Sequence, residues 1–356
     1  MKRIILTGGG TAGHVTPNLA LLPALRSRGF EVRYIGSYEG IEKELAEAAG
    51  LPYDGISSGK LRRYFNLKNF SDPFRVIKGL GQSVRLLRKY KPDVIFSKGG
   101  FVSVPVVFAA SLLHIPAVIH ESDLTPGLAN KLSIPAARAV CCNFPDTLPY
   151  LPKDKAVVTG CPIRAELLSG SRLAALSFTG LSPERPVLLV VGGSLGSVVL
   201  NEAVREILPE LLKHFQGIHL CGKGHTRPEL HADGYVQYEY ISDELKDLFA
   251  LADLVVSRAG ANAICELLAL QKPHLLVPLS AKASRGDQLL NAESFRKQGF
   301  SMVMQEEELT GERLLAELQT LYKQRDSFVQ KMKESRQGRA VEVIADMLER
   351  YATEKN

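Results

Sequence analysis

At 356 residues the chain is longer than one ordinary core and fits two domains. With 45% hydrophobic and 23% charged residues it is not a disordered chain, and its five cysteines, lacking a C-x-x-C pair or a His/Cys cluster at zinc spacing, argue against a disulfide framework and suit a reducing cytoplasm. The formal charge of +6 is small but uneven: residues 60–91 hold ten Lys or Arg against the single acid Asp72.

In chain order, Met1-Lys2-Arg3 precedes only Ile4, Ile5 and Leu6 before a run of glycines, too short an apolar stretch for a signal peptide. Residues 3–6, 31–35, 94–96, 117–119, 139–141 and 156–158 read as buried strands alternating with helical patterns, which implies a parallel sheet covered by helices. The longest apolar stretch, residues 101–119, is broken by Ser103, Pro105, Ser111, His114 and Pro116 and reads as a buried helix followed by a strand, not a membrane span. Residues 169–186 are rich in Ser, Gly and Pro, so a boundary belongs near 160–185. The pattern then restarts, with strands expected at 187–191, 218–220, 236–238, 254–256, 275–277 and 301–303 and a terminal amphipathic helix over 337–354. The expected domains are 1–163 and 164–336, both doubly wound, with the last helix returning to the first. Two such domains facing each other bind ligands in the cleft between their strand ends.

Each half opens with a glycine loop after its first strand. Gly8-Gly9-Gly10-Thr11-Ala12-Gly13 fits G-x-G-x-x-G, in which backbone N–H groups and a helix N-terminus approach a phosphate. A dinucleotide site also needs an acid at the end of the second strand, where this chain reads Val32-Arg33-Tyr34-Ile35-Gly36. A glycine turn that merely packs helix on strand and a site for another phosphate-bearing ligand stay open; His14, directly after the third glycine, favours the ligand site because its titration range suits proton transfer.

In the second half, Gly192-Gly193-Ser194-Leu195-Gly196 also matches the nucleophile elbow of α/β hydrolases, but the candidate late histidine, His274, falls inside an expected strand. A diphosphate cradle with Ser194 explains both loops better. The segment from Ser257 to Glu266 follows a strand and opens a helix: Ala261, Asn262 and Ala263 let the helix N-terminus approach a ligand, and the Glu266 carboxylate matches two adjacent ribose hydroxyls, unless it is an ordinary helix-face acid. Gln288 offers an amide to sugar hydroxyls.

The basic window interleaves Arg62, Arg63, Lys68, Arg75 and Lys78 with Phe65, Phe70 and Phe74, a mixture suited to an anionic membrane surface; nucleic acid binding and a plain solvated face are the competing uses.

Taken together, residues 8–17, Lys98-Gly99-Gly100-Phe101-Val102-Ser103, His120-Glu121-Ser122-Asp123, Pro126-Gly127-Leu128-Ala129-Asn130-Lys131, Gly160-Cys161-Pro162-Ile163-Arg164, the second glycine loop, Ser257-Arg258-Ala259-Gly260 with Glu266, and Gln288 with Asn291-Ala292 resemble the MurG family over essentially the whole chain. The resemblance implies an α/β GT-B fold of two Rossmann-like domains and an inverting transfer of N-acetylglucosamine from UDP-N-acetylglucosamine to the lipid-linked muramoyl-pentapeptide, lipid I, making the β-1,4-linked lipid II of peptidoglycan synthesis. It implies no metal or other cofactor and no nucleic acid partner, and a peripheral enzyme on the cytoplasmic face of the bacterial membrane. It places Thr11, Ala12, Gly13, Arg164, Ser194, Ile241, Ala261, Asn262, Ala263, Glu266 and Gln288 around the nucleotide sugar, with the Ile241 backbone reading uracil and Glu266 the ribose. His14 and Glu121 flank the reacting centre, either of them a possible base. Where many members have His-Glu-Gln-Asn, this chain has Ser122 and Asp123, so a contact from Asp123 to the sugar becomes that of a carboxylate. A same-fold UDP-N-acetylglucosamine 2-epimerase and a nucleotide-sensing module are the other readings of these residues.

Overall fold

A computed structural model describes residues 1–59, 72–193, 196–281, 286–335 and 339–354. The chain divides into two compact units, Met1–Arg164 with Arg336–Asn356, and Ala165–Ser335.

The first unit is built on seven parallel strands: β1 (Lys2–Thr7), β2 (Phe30–Ser37), β3 (Tyr53–Ile56), β4 (Val94–Ser97), β5 (Ala117–Glu121), β6 (Ala139–Cys142) and β7 (Ala156–Val158), in the order β3-β2-β1-β4-β5-β6-β7. Alternate residues of β1 serve opposite faces. Ile4 and Leu6 pack into a layer with Leu22, Leu25 and the terminal helix Ala340–Thr353, whereas Ile5 packs with Leu87, Val106 and Val107 from the helices Asp72–Tyr90 and Ser103–Leu112. A parallel sheet buried on both faces needs such apolar runs.

The terminal helix buries Ile344, Met347 and Leu348 in the first unit's core. At its rim Arg28 Nη2 donates to Glu342 (2.7 Å) and Asp346 (2.6 Å). Burial of the three side chains dominates there, since exposed ion pairs are worth only about 0–1 kcal/mol each.

The second unit repeats the plan with six parallel strands: β8 (Val187–Val191), β9 (Gln216–Leu220), β10 (Tyr235–Tyr238), β11 (Leu254–Ser257), β12 (His274–Leu276) and β13 (Met302–Val303), in the order β10-β9-β8-β11-β12-β13. Among the described residues, twelve of these thirteen strands fall where the sequence expects them. The exception is β3, a sheet-edge strand reading Tyr-Asp-Gly-Ile with one buried residue, which gives no periodicity to detect.

Strand order reverses between β1 and β4 and again between β8 and β11, the switch points at which open α/β sheets bind ligands. Register aligns the exits: Thr7 pairs with Ser97, and Val191 pairs with Ser257. In each unit, therefore, the glycine loop after the first strand leaves the sheet beside the loop that follows its switch partner.

Candidate functional site

In the first unit three loops gather at the carboxyl ends of β1, β4 and β5. The loop after β1 closes into a single 3-10 turn, Ala12–His14, with Thr11 and Ala12 exposed and Gly13 half-buried. The His14 imidazole turns back on its own loop: Nδ1 lies 3.1 Å from the Gly9 carbonyl and 3.1 Å from Thr11 Oγ1. Because a carbonyl can only accept, the proton is assigned to Nδ1, which leaves the Nε2 lone pair as the basic site of the ring. Burial, and then the Lys98 ammonium, push its pKa down to about 4, against the opposing pull of the Gly9 carbonyl and Glu42. The ring is neutral at pH 7.

Two buried side chains, one from a distant helix and one from the helix that follows, shape this loop. Glu42, on the helix Ile41–Ala48, accepts from the Gly10 N–H at 3.1 Å and from the Ser37 N–H at 3.2 Å. A Cβ on Gly9 would meet its carboxylate at 2.5 Å, so the second glycine is required by the brace itself. Asn18 Nδ2 donates to the Thr7 carbonyl at 3.1 Å and to Tyr34 OH at 3.0 Å.

The loop after β4 lies against the same turn. Gly9 N–H donates to Gly99 O at 3.3 Å, and a Cβ on Gly100, whose φ is +86°, would sit 2.3 Å from Gly9 O. Only a glycine permits that approach.

At the end of β5, Glu121 is buried and fully engaged. Oε1 accepts from the N–H groups of Ser122 (2.8 Å) and Asp123 (3.1 Å), and Oε2 from Gly127 N–H (2.9 Å) and Asn130 Nδ2 (2.8 Å). Burial pushes its carboxyl above the usual range, while Asn130 and the loop amides pull it back. All four donors favour the ionised form. Neither ring bond of His14 goes to Glu121, so the carboxylate does not orient that imidazole in this structure. It organises the loop 122–130, and with it Asp123.

In the second unit the loop after β8 turns through Gly193 (φ +92°) and Gly196 (φ +76°); a Cβ on Gly196 would lie 2.0 Å from Cys221 O. Ser194 lies outside the described residues. Ser197 caps the helix Val198–Glu206 and also receives Arg258 Nη2. Arg258, buried, donates through Nη1 to Val277 O at 3.0 Å and pairs with Glu306, so it ties the glycine loop to the ends of β11 and β12.

The helix Ala261–Ala269 starts at Gly260 with no side-chain cap, at the carboxyl end of β11, where a helix N-terminus suits an anion or a hydroxyl. Glu266 is half-buried on its second turn. Gln288 Oε1 accepts from Leu279 N–H (3.0 Å) and Ala259 N–H (3.3 Å). Its carbonyl is therefore occupied, and the amide nitrogen is the group left to meet a ligand, a narrower role than an amide that both donates and accepts. Ile241 lies on the loop leaving β10, and Arg164 is exposed where the first unit ends.

His274 is fully buried in β12, its Nδ1 donating to Lys272 O at 2.6 Å, which removes it as the partner of a hydrolase serine. Arg62, Arg63, Phe65, Lys68 and Phe70 lie outside the described residues, as does the side chain of Phe74. Arg75 and Lys78 are exposed on the helix Asp72–Tyr90, with Ile77 exposed between them. Among the described residues no helix is long and apolar enough to cross a membrane, and no three His, Cys, Asp or Glu side chains cluster as a metal site.

Two parallel-sheet units, each with a glycine loop at its switch point, place the chain in the class of doubly wound α/β proteins that bind phosphate-bearing ligands. Residues 4–142 match the glycosyltransferase family 28 N-terminal domain and residues 187–348 its C-terminal domain. A relative from Lachnoclostridium phytofermentans, named UDP-N-acetylglucosamine--N-acetylmuramyl-(pentapeptide) pyrophosphoryl-undecaprenol N-acetylglucosamine transferase, is 61% identical over 98% of this chain and 99% of its own. One of the same name from Clostridium botulinum is 54% identical over 99% of both. The crystal structure of Acinetobacter baumannii MurG superposes with a TM-score of 0.76 at 27% identity, covering 98% of this chain and 100% of that one. The chain belongs to the MurG family of glycosyltransferases, with the GT-B fold. The UDP-GlcNAc 2-epimerase of Neisseria meningitidis, at 13% identity and a TM-score of 0.68, shares the fold alone.

Proposed function

We propose that the chain transfers N-acetylglucosamine from UDP-N-acetylglucosamine to the muramoyl hydroxyl of lipid I, giving the β-1,4-linked lipid II and UDP with inversion. The observation that carries the chemistry is His14. Its Nδ1 proton is committed to Gly9 O, its pKa of about 4 keeps it neutral, and its Nε2 is a lone-pair base at the first unit's switch point. The acceptor hydroxyl gives its proton to Nε2 as its oxygen bonds to the anomeric carbon, and the bond from that carbon to the UDP oxygen breaks on the opposite face. A pKa of 4 makes a weak ground-state base; the approach of an anionic diphosphate raises it, as a neighbouring negative charge must.

In this reading Glu121 holds the acceptor loop in shape, with Asp123 presented beside it, and Thr11, Ala12 and Gly13 line the sugar side. The second unit holds the donor. The first turn of the helix Ala261–Ala269 and Ser194 meet the diphosphate, Arg164 and the positive helix end offset the charge growing on UDP, Glu266 takes the ribose hydroxyls, the Ile241 backbone reads uracil and the Gln288 amide nitrogen reaches the sugar. The reading needs no resident cofactor. The basic residues Arg62, Arg63, Lys68, Arg75 and Lys78, with Phe65, Phe70 and Phe74, hold the enzyme on the anionic cytoplasmic face of the membrane, where lipid I is presented, and bind no nucleic acid.

Transfer of labelled N-acetylglucosamine to a short-chain lipid I analogue tests the reading. The expected result is acceptor-dependent lipid-linked product with UDP release, reduced about 100- to 10,000-fold in His14→Ala. Full turnover by that variant would remove His14 as the base. Free epimer without acceptor would indicate the same-fold epimerase, and tight UDP binding without turnover a sensor.

A further inference from the structure

Lys98 is the first residue after β4, and it is 1% exposed. Its ammonium lies 2.9 Å from His120 Nδ1 and donates to Ser122 Oγ. His120 Nε2 is 2.9 Å from the Gly160 carbonyl, which must accept, so Nε2 carries the ring proton and Nδ1 is the lone pair that receives Lys98. Among the described residues the ammonium meets no carboxylate. Glu121, its neighbour across β5, turns away to four other donors.

Burying an ammonium without an anion is costly, and its two neutral acceptors offset only part of that cost. A fold seeking stability alone would put an apolar side chain there. The location supplies another reason for it. Lys98 N–H donates to Thr7 O at 3.0 Å and the adjacent Gly99 O accepts from Gly9 N–H, so the cation is fixed to the backbone whose Gly9 carbonyl holds the His14 ring.

We propose that Lys98 is a positioning residue for the transfer, a buried cation that fixes one tautomer of His120, clamps Ser122 and, tied through Thr7 and Gly9 to the loop that carries His14, sets the charge which that ring meets. Two charged groups bear on His14: Lys98, which opposes its protonation, and Glu42, which favours it. Lys98 acts in the same sense on His120, which burial has already driven well below its ordinary pKa. It also bears on the buried Cys141 thiol, favouring the thiolate against burial. Burial and the cation together keep two imidazoles neutral beside a site that must admit a diphosphate, whose charge favours premature protonation of the base. This inference rests on His14 being the base only for its kinetic consequence.

The test is Lys98→Met, which keeps the stem and removes the charge, read by the titration of His14 in protein carrying 13C-labelled histidine, with His14→Gln assigning the resonance. The expected result is a titration displaced to higher pH. A rise of about one unit, the low end for one neighbouring charge, takes the neutral fraction at pH 5 from about nine-tenths to about one-half, so kcat/KM at pH 5 relative to pH 7 falls about two-fold. Ser122→Ala keeps the cation and leaves the titration in place. If Lys98→Met does not fold, Lys98→Gln supplies the same reading. A His14 titration superimposable on the wild type in the neutral variant overturns the proposal. A displaced titration with an unchanged pH–rate profile upholds it and instead removes His14 as the base.

Discussion

Glu121→Gln separates a carboxylate that does chemistry from one that builds a loop. The substitution is nearly isosteric, but a primary amide has one accepting oxygen where the carboxylate has two. Oε1 receives Ser122 and Asp123 N–H, and Oε2 receives Gly127 N–H and Asn130 Nδ2, so either placement of the new NH2 sets it against two donors. Flipping Asn130 relieves one of them but sacrifices its 3.1 Å bond to His120 O. Two buried donors without acceptors cost about 1–3 kcal/mol each, in total about 4 kcal/mol. For a unit of this size that lowers the melting temperature of the first unit by about 8–16 °C. The assay is scanning calorimetry, together with hydrogen exchange of the amides of residues 122, 123 and 127, expected to lose protection. Transfer activity falls as a consequence of the opened loop. An unchanged melting profile and unchanged protection alongside a thousand-fold loss of kcat would refute the reasoning and make Glu121 a chemical participant.

Gly100→Ala puts a methyl 2.3 Å from Gly9 O at a φ of +86°. Backbone meets backbone there, so the His14 turn must move, and a displacement of about 1 Å costs about 100-fold in kcat; Gly50→Ala, at φ +69° with nothing near its Cβ, carries backbone strain alone and retains activity in the same transfer assay. Acid weakens the second unit through two histidines buried neutral, His274 with its pKa pushed down to about 4 and His219 to about 3. Both lie below the unfolded value, so the unfolded chain takes the proton first: stability is complete above pH 6.5 and falls as pH drops toward 4. Each histidine removes about 2 kcal/mol at pH 5, visible as a lower urea midpoint for the second unit at pH 5 than at pH 7, and an unchanged midpoint would contradict the burial argument. Arg75→Gln with Lys78→Gln removes two exposed charges worth about 1 kcal/mol each at an anionic surface, so partitioning onto phosphatidylglycerol vesicles falls about 30-fold, whereas equal partitioning of both proteins would contradict electrostatic docking.

Twelve of the thirteen strands and both glycine loops were legible because the requirements behind them are local. A strand buried on two faces must be apolar throughout, and a chain turning sharply at a switch point must be glycine. What holds the loops open was not legible. The helix Ile41–Ala48 carries Glu42, Glu44 and Glu47, and only the first is buried and braces Gly10, a difference set by where the helix lands on the sheet and not by the residues around it. Lys98 sits within a recognisable motif, yet its burial beside His120 depends on β4 and β5 being neighbours, as the observed strand order makes them. Glu121 was legible as a candidate, but its saturation was not, because its four donors come from residues up to nine positions downstream.

The same solution appears in both units. A glycine loop has few side chains of its own to hold it, and a loop free to relax would lose the preorganisation that makes backbone dipoles useful against developing charge. Each unit therefore fixes its loop from behind with buried polar side chains from other elements. In the first, Glu42 accepts from Gly10 and Asn18 donates to Thr7; in the second, Asn201 donates to Cys221 O at 2.9 Å while Arg258 reaches Ser197 and Val277. Because Glu42 and Asn201 also satisfy a backbone group that burial would otherwise orphan, removing either one opens a loop and leaves an unpaired group behind it. Substitution of these braces should thus lower stability and kcat together, whereas substitution of His14, whose ring bonds only Thr11 and Gly9 of its own loop, should lower kcat far more than stability.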